Sequence, residues 1–198
     1  MRNEPELNAL IGSRICHDLI SPIGAIGNGI ELLSMSGVNA APEISLISES
    51  VENANARIRF FRIAFGAAGN GAMIGNTEIR SVLHDFFRSN RIKIDWRINQ
   101  DLPRGEAKLA FLLIQCLENA LPWGGNILAT KTDDAWNLTG TGDRLKIEEA
   151  LWDIAVNPQA DADVVASEVQ FALVQPAAQQ IERRVKTIIR ENGISVSF

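Results

Sequence analysis

Leu19, Ile23, Ile26, Ile30 and Leu33 step along the chain by 4, 3, 4 and 3 residues. An aliphatic series with that seven-residue repeat dictates a long amphipathic helix with a bundle seam down one side. At roughly 100° per residue, His17 lies about 200° from Leu19 and so points away from the seam. It belongs to a second stripe, Arg14, His17, Ser21, Gly24, Asn28 and Glu31, which is polar or small throughout. Pro22 removes a backbone donor and crowds the carbonyl of Asp18, so a bend or loosened turn is expected beside His17. Gly24, Gly27 and Gly29 each cost about 1 kcal/mol against alanine in a helix. Helix stability does not select those residues. Small side chains here permit the close approach of another helix or loop, either from a partner or from within the chain.

A second series, Ile44, Ile47, Val51, Ala54, Ile58, Phe61 and Phe65, repeats the 3, 4 spacing and predicts a helix over residues 43–65. The first helix is expected to start with Asn3 as cap, Glu6 reaching back and Pro5 in the first turn, and to end near Ser34. A short loop with Gly37 then spans residues 35–42. Two antiparallel helices cannot bury two full seams alone. Either a second copy completes a four-helix bundle or the rest of the chain does.

Residues 66–75 contain Gly66, Gly69, Gly71 and Gly75 with few anchors and read as a linker. It divides a helical hairpin, residues 1–68, from a second domain, residues 76–198. In the latter, residues 79–89, 105–121, 144–156 and 163–181 have helical patterns, while 93–98, 126–131 and 135–139 alternate as strands, the last two joined at Asp133-Asp134. Residues 184–190 and 194–198 form a hairpin around Asn192-Gly193, a type I′ turn signal. The fold class is α+β, a sheet with helices on one face behind an N-terminal antiparallel helical hairpin. Trp96, Trp123, Trp136 and Trp152 are expected in the core. His84, beside Phe86 and Phe87, is expected at the boundary of a packed helix.

A net charge of −5 without a basic tract argues against a nucleic-acid partner. The 46% hydrophobic content supports a real core. Cys16 and Cys116 lack metal spacing and read as free thiols, with Cys116 in the core. Two histidines and two cysteines so far apart do not make a zinc site. No signal-like segment or apolar run of about 18 residues is present, so a cytoplasmic protein that does not enter the membrane is expected.

The run His17-Asp-Leu-Ile-Ser-Pro22 resembles the phosphoacceptor box of sensor histidine kinases, His-Glu/Asp-Leu-Arg-Thr/Asn-Pro, differing at Ile20 where kinases tend to be basic. With Cys16 before it and Ile23-Gly-Ala-Ile-Gly-Asn-Gly-Ile-Glu-Leu-Leu33 after it, residues 14–33 are more similar to the ChpT-type histidine phosphotransferases. Those proteins share the kinase outline but relay phosphate without binding ATP. The resemblance implies a phosphoaccepting His17, with Asp18 orienting the ring or taking its proton, and a homodimeric four-helix bundle. The residue types suit that chemistry. A neutral imidazole nitrogen is a good nucleophile toward phosphorus, and imidazole ordinarily titrates near ~6.5. In-line transfer then requires mostly positioning and charge neutralisation. Arg14, one turn earlier, can pair with Asp18 or meet phosphate oxygens, the plain alternative being a solvated i, i+4 ion pair. Ser21, one turn later, can hydrogen-bond the phosphoryl group or its attacking aspartate. Adjacent side chains on a helix diverge, so spacing alone does not bring Asp18 to His17.

Residues 76–198 resemble a kinase ATP-binding domain that has lost its nucleotide site. Gln115-Cys-Leu-Glu-Asn119-Ala stands at the Asn-x-x-x-Asn-Ala box, with glutamine at its first position. Leu138-Thr-Gly-Thr-Gly142 has the spacing of the Asp-x-Gly-x-Gly loop, with leucine in place of the aspartate. No glycine occurs between Asp143 and Asn192, where a phosphate-covering lid needs them. The expected function is a phosphorelay step in which His17 takes a phosphoryl group from one receiver aspartate and gives it to another. The implied partners are a second copy of the chain, response-regulator receivers and the receiver of a hybrid kinase. Gly24, Asn28 and Glu31 are the bundle-side contact candidates. Magnesium comes with the receiver, and this chain binds no cofactor. The rival readings are an ATP-dependent kinase core and a non-catalytic receiver-binding scaffold.

Overall fold

The structure, a computed structural model, describes residues 4–35, 41–69, 71–133 and 135–198. The expected cap at Asn3 and the loop core at 36–40 lie outside them. Helices α1 (Glu4–Met35) and α2 (Ala41–Ala64) form the hairpin. Helix α1 runs unbroken through Pro22. Pro22 and Gly29, two turns apart, are buried, and a Cβ at Gly29 would fall 2.6 Å from Ile47 Cγ1. The line that packs on α2 is therefore this strip of small residues and not the predicted aliphatic seam. Leu19, Ile26 and Leu33 are half-buried beside it, whereas Ile23 and Ile30 are 58% and 55% exposed. Helix α2 divides in the same way: Ile47 and Ala54 are half-buried and Phe61 buried, with Ile44, Val51 and Ile58 exposed. The physical reason is distance, since an isoleucine in place of Gly29 would hold the two backbones apart. Gly24 and Gly27 face open space.

The C-terminal half of α2 enters the core of the second half of the chain. Phe60 stacks on Phe86 at 4.1 Å and lies 4.7 Å from Phe111. These rings belong to α3 (Asn76–Phe87) and α4 (Arg104–Ala120). Intramolecular packing thus covers one end of the hairpin and leaves the exposed half of its heptads open.

The glycine-rich stretch after α2 is anchored, contrary to its reading as a linker. Lys108 of α4 donates to Gly66 O at 3.0 Å, Arg104 to Ala67 O at 3.3 Å, and Gln180 to Ala68 O at 3.2 Å. These donors satisfy backbone carbonyls just past the end of α2, which no helix or strand partner takes up. Burial pushes the Lys108 ammonium below its usual range. Beyond, Met73–Ile74 forms β1 and pairs antiparallel with β3 (Leu102–Pro103).

The main sheet has the order β2 (Ile92–Trp96), β4 (Gly125–Thr132), β5 (Ala135–Thr141), β7 (Gly193–Ser197), β6 (Lys186–Arg190). Its β2–β4 pair is parallel, joined through α4, and the rest is antiparallel. Ile127, Ala129, Trp136, Leu138, Ile194 and Val196 alternate into the core, where the whole of α4 from Leu109 to Leu117 is buried. Trp136 stacks on Phe198 at 5.2 Å and donates to Glu106 Oε2 at 2.8 Å. Helix α5 (Glu149–Val156), a 3₁₀ turn (Ala166–Glu168) and α6 (Val169–Gln180) complete the helical layer. The architecture is the expected α+β arrangement. No helix among the described residues is long and apolar enough to cross a membrane.

Three local expectations change. Residues 144–148 are not helical, because Lys146 N is used to satisfy Ala120 O at the end of α4. Trp123 is exposed, with the Arg144 guanidinium 4.5 Å from its ring centroid, while Trp96, Trp136 and Trp152 are core. The last hairpin pairs Arg190 with Gly193, so its turn centres on Glu191-Asn192. The left-handed non-glycine residues described are Asp133 and Glu182, so this turn is not type I′. The two helix glycines separate cleanly in a stability test. Gly27→Ala is expected to stabilise by about 0.5–1 kcal/mol through helix propensity. Gly29→Ala is expected to destabilise, because Ile47 must move. Urea unfolding of the two variants checks the opposite signs.

Candidate functional site

Helix α1 presents His17 to solvent, its side chain 82% exposed, and encloses the neighbouring Asp18, 10% exposed. The divergence expected of adjacent side chains does not prevent contact: His17 Nδ1 lies 3.2 Å from Asp18 Oδ1. The other carboxylate oxygen is held separately. Arg14 Nε donates to Oδ2 at 2.9 Å, and Arg57 Nη1 from α2 lies 3.5 Å from the same atom. Arg14 also donates through Nη1 to Ser167 O at 2.7 Å. Arg57 donates through Nε to Asn53 Oδ1 at 2.9 Å, its guanidinium 5.8 Å from the Phe86 ring centroid. The Arg14–Asp18 pair is thus an enclosed part of the fold and not a solvated surface pair. A carboxylate oxygen can only accept, so this contact is a hydrogen bond in the tautomer that carries its proton on His17 Nδ1. In the neutral ring, the Nε2 lone pair then faces solvent.

Ser21, Gly24, Asn28 and Glu31 continue the exposed stripe beyond His17. Ser21 also edges a cleft of about 850 Å³ between α1, α2 and α3, which Arg57, Asp85 and Arg88 line on the far side. The second half of the chain reaches this region through Glu118 of α4. Asn90 donates to Glu118 Oε1 at 3.0 Å. Burial raises the Glu118 carboxyl above the usual glutamate range; the Asn90 hydrogen bond and the charges of Arg14 and Arg57 oppose this, and Asp18 adds to it. Glu118 was legible only as part of a kinase-like box, and Arg57 was not legible at all. Arg57 has no local spacing to His17, so only the packing of α2 on α1 reveals it.

His84 repeats the local pair. Its Nδ1 lies 3.2 Å from Asp85 Oδ1, and Arg59 Nη1 donates to Asp85 Oδ2 at 2.8 Å. Burial raises the Asp85 carboxyl, but the His84 hydrogen bond and the Arg59 charge outweigh it and bring it below the usual range. His84 is exposed and not at a packed boundary. The surroundings separate the two histidines: small and polar exposed residues follow His17, whereas Arg80 and Arg88 flank His84 one turn to either side.

The profile of the histidine phosphotransferase C-terminal domain matches residues 76–193. Over 171 residues, the chain is 34% identical to protein phosphotransferase ChpT of Brucella abortus (strain 2308), spanning 83% of this chain and 81% of that one. The chain belongs to the histidine phosphotransferase family. A solved bacterial phosphotransferase, 30% identical, superposes with a TM-score of 0.81 over 100% of this chain and 97% of the other. The likeness to that phosphotransferase therefore includes the helical hairpin and not the C-terminal domain alone.

In this histidine phosphotransferase the link between the two halves has a pH signature. The raised Glu118 carboxyl binds its proton more tightly folded than unfolded, so its contribution to stability falls as pH rises from the ordinary glutamate value through the folded-state value. Glu118→Gln removes that titration. The stability of the variant relative to the parent is expected to grow across this window and then level off, as measured by urea unfolding at a series of pH values.

Proposed function

We propose that this phosphotransferase carries a phosphoryl group between receiver-domain aspartates as a phosphohistidine on His17, without using ATP. The observation that carries the reading is a solvent-facing imidazole whose Nδ1 is committed to an enclosed carboxylate. In the step proposed, the Nε2 lone pair forms a bond to the phosphorus of a receiver aspartyl phosphate, and the bond from phosphorus to the aspartyl oxygen breaks. The receiver leaves with a free carboxylate. The Nδ1 proton stays in place, and Asp18 balances the positive charge that the phosphorylated ring acquires. The reverse step loads the second receiver. Ser21 and the free donors of Arg14 stand within one turn, as candidates to meet phosphoryl oxygens. Magnesium belongs to the acidic pocket of the receiver. The receivers of a hybrid kinase and of response regulators dock over Gly24, Asn28 and Glu31, where open glycine surface favours close approach.

The second half supports the reading without ATP. Leu138, at the position of the aspartate in the resembled nucleotide loop, is fully buried in β5. Gly140 and Gly142 pack toward Leu117 and Leu121 of the core. The glycine-free stretch that follows folds as α5, the 3₁₀ turn, α6 and β6, with α6 packed on α4 and α5 on α6. In this proposal residues 1–68 dimerise and carry phosphate, residues 76–198 support docking, and the protein works in the cytoplasm. The exposed heptad positions Ile23, Ile30, Ile44, Val51 and Ile58 fit a second copy of the hairpin, giving a four-helix bundle.

Two measurements test these statements. Incubation with a phosphorylated receiver is expected to place acid-labile, base-stable label on the parent protein and none on His17→Ala, with both remaining dimers. Label persisting on the variant contradicts the assignment. Ile30→Glu is expected to convert the dimer to monomers in analytical ultracentrifugation, whereas an unchanged mass contradicts the proposed seam.

A further inference from the structure

We infer that Arg57, on the second helix of the hairpin, is a positioning residue that fixes the tautomer of His17 through Asp18. This rests on the phosphohistidine reading only for its consequence, since the tautomer itself belongs to the resting protein.

An arginine fork left to itself takes a carboxylate with two parallel hydrogen bonds, one to each oxygen. Such an arrangement at Asp18 would occupy Oδ1 and take it from His17. Neither arginine does this. Arg14 divides its fork, giving Nε to Asp18 Oδ2 and Nη1 to Ser167 O. Arg57 divides its own, presenting Nη1 to the same Oδ2 and Nε to Asn53 Oδ1. Two cations thus converge on one oxygen, and the other is left to the imidazole. Removing Arg57 leaves Oδ2 with a single partner and frees the carboxylate to turn away from the ring toward Arg14. His17 Nδ1 then loses its acceptor, and the proton is free to move to Nε2, where it blocks the nucleophilic lone pair.

The chain contains a second instance of the same construction. Arg59, two residues further along α2, holds Asp85 Oδ2 while Oδ1 faces His84 Nδ1. Both histidines of the chain therefore have an arginine of α2 behind their aspartate. That recurrence makes the geometry a property of the divided carboxylate and supplies an internal control.

The test is nitrogen-15 NMR of the two imidazoles, in buffer well above the ordinary imidazole range, on the full-length unphosphorylated protein. Arg57→Met is the variant of choice, because it keeps a long unbranched side chain beside Phe86 while the charge is gone. In the parent, His17 is expected as the Nδ1–H tautomer. In Arg57→Met, its signals are expected to move toward the Nε2–H form while those of His84 stay fixed; Arg59→Met is expected to do the reverse. Arg57→Lys, which restores a cation, is expected to recover part of the parent tautomer. In a separate assay, transfer from a phosphorylated receiver to Arg57→Met is expected to slow by roughly ten- to a hundredfold, by analogy with a metal-bound histidine that loses its outer partner. An unchanged His17 tautomer in Arg57→Met overturns the inference, whatever happens to transfer. A parent protein with the correct tautomer that never accepts phosphate contradicts the phosphohistidine reading and leaves the positioning result standing.

Discussion

The structure turns on the way one carboxylate is shared. Asp18 has one oxygen between two arginines and the other against an imidazole, and it is nearly enclosed while the imidazole is not. An enclosed carboxylate without partners would be costly, and here the partners come from three parts of the chain. Arg14 arrives from the same helix, Arg57 from the second helix, and the Ser167 carbonyl that steadies Arg14 from the C-terminal half. Breaking the hairpin or lifting the second half away would therefore release the aspartate and, with it, the ring. The exposed histidine is only as well defined as the buried network beneath it.

That dependence explains why the chain anchors a stretch that reads as a flexible linker. The carbonyls of Gly66, Ala67 and Ala68 are each taken by a side chain of α4 or α6, and Phe60 of α2 stacks on Phe86 and lies tilted against Phe111. The two halves meet through dense aromatic and hydrogen-bonded contacts. In that setting Glu118, at the kinase-like box, lies in the field of Arg14 and Arg57. Leu138 is buried, and Gly140 and Gly142 lie against Leu117 and Leu121 of the same core.

Much of this was legible in the sequence because it depended on local periodicity. The exposed stripe from His17 to Glu31, the two long helices, the main strand segments along the chain and the burial of Cys116 follow from spacing and composition. What was not legible depended on distances between remote residues. The aliphatic seam was visible, but the face that packs on α2 is the strip through Pro22 and Gly29, because closeness of backbones matters more there than apolar area. The contact of His17 with Asp18 contradicted a rule about adjacent side chains, since a short carboxylate and a ring can bend toward each other when arginines hold the far oxygen. Arg57 carries no signal at all until the helices are packed.

The central claim is that phosphate rides on the outward nitrogen of His17. Phosphorus-31 and nitrogen-15 NMR of the protein loaded by a phosphorylated receiver tests it most directly. The account predicts a phosphoramidate at Nε2 with Nδ1 still protonated and bonded to Asp18. A phosphoryl group at Nδ1, on a carboxylate, or on His84 would contradict it.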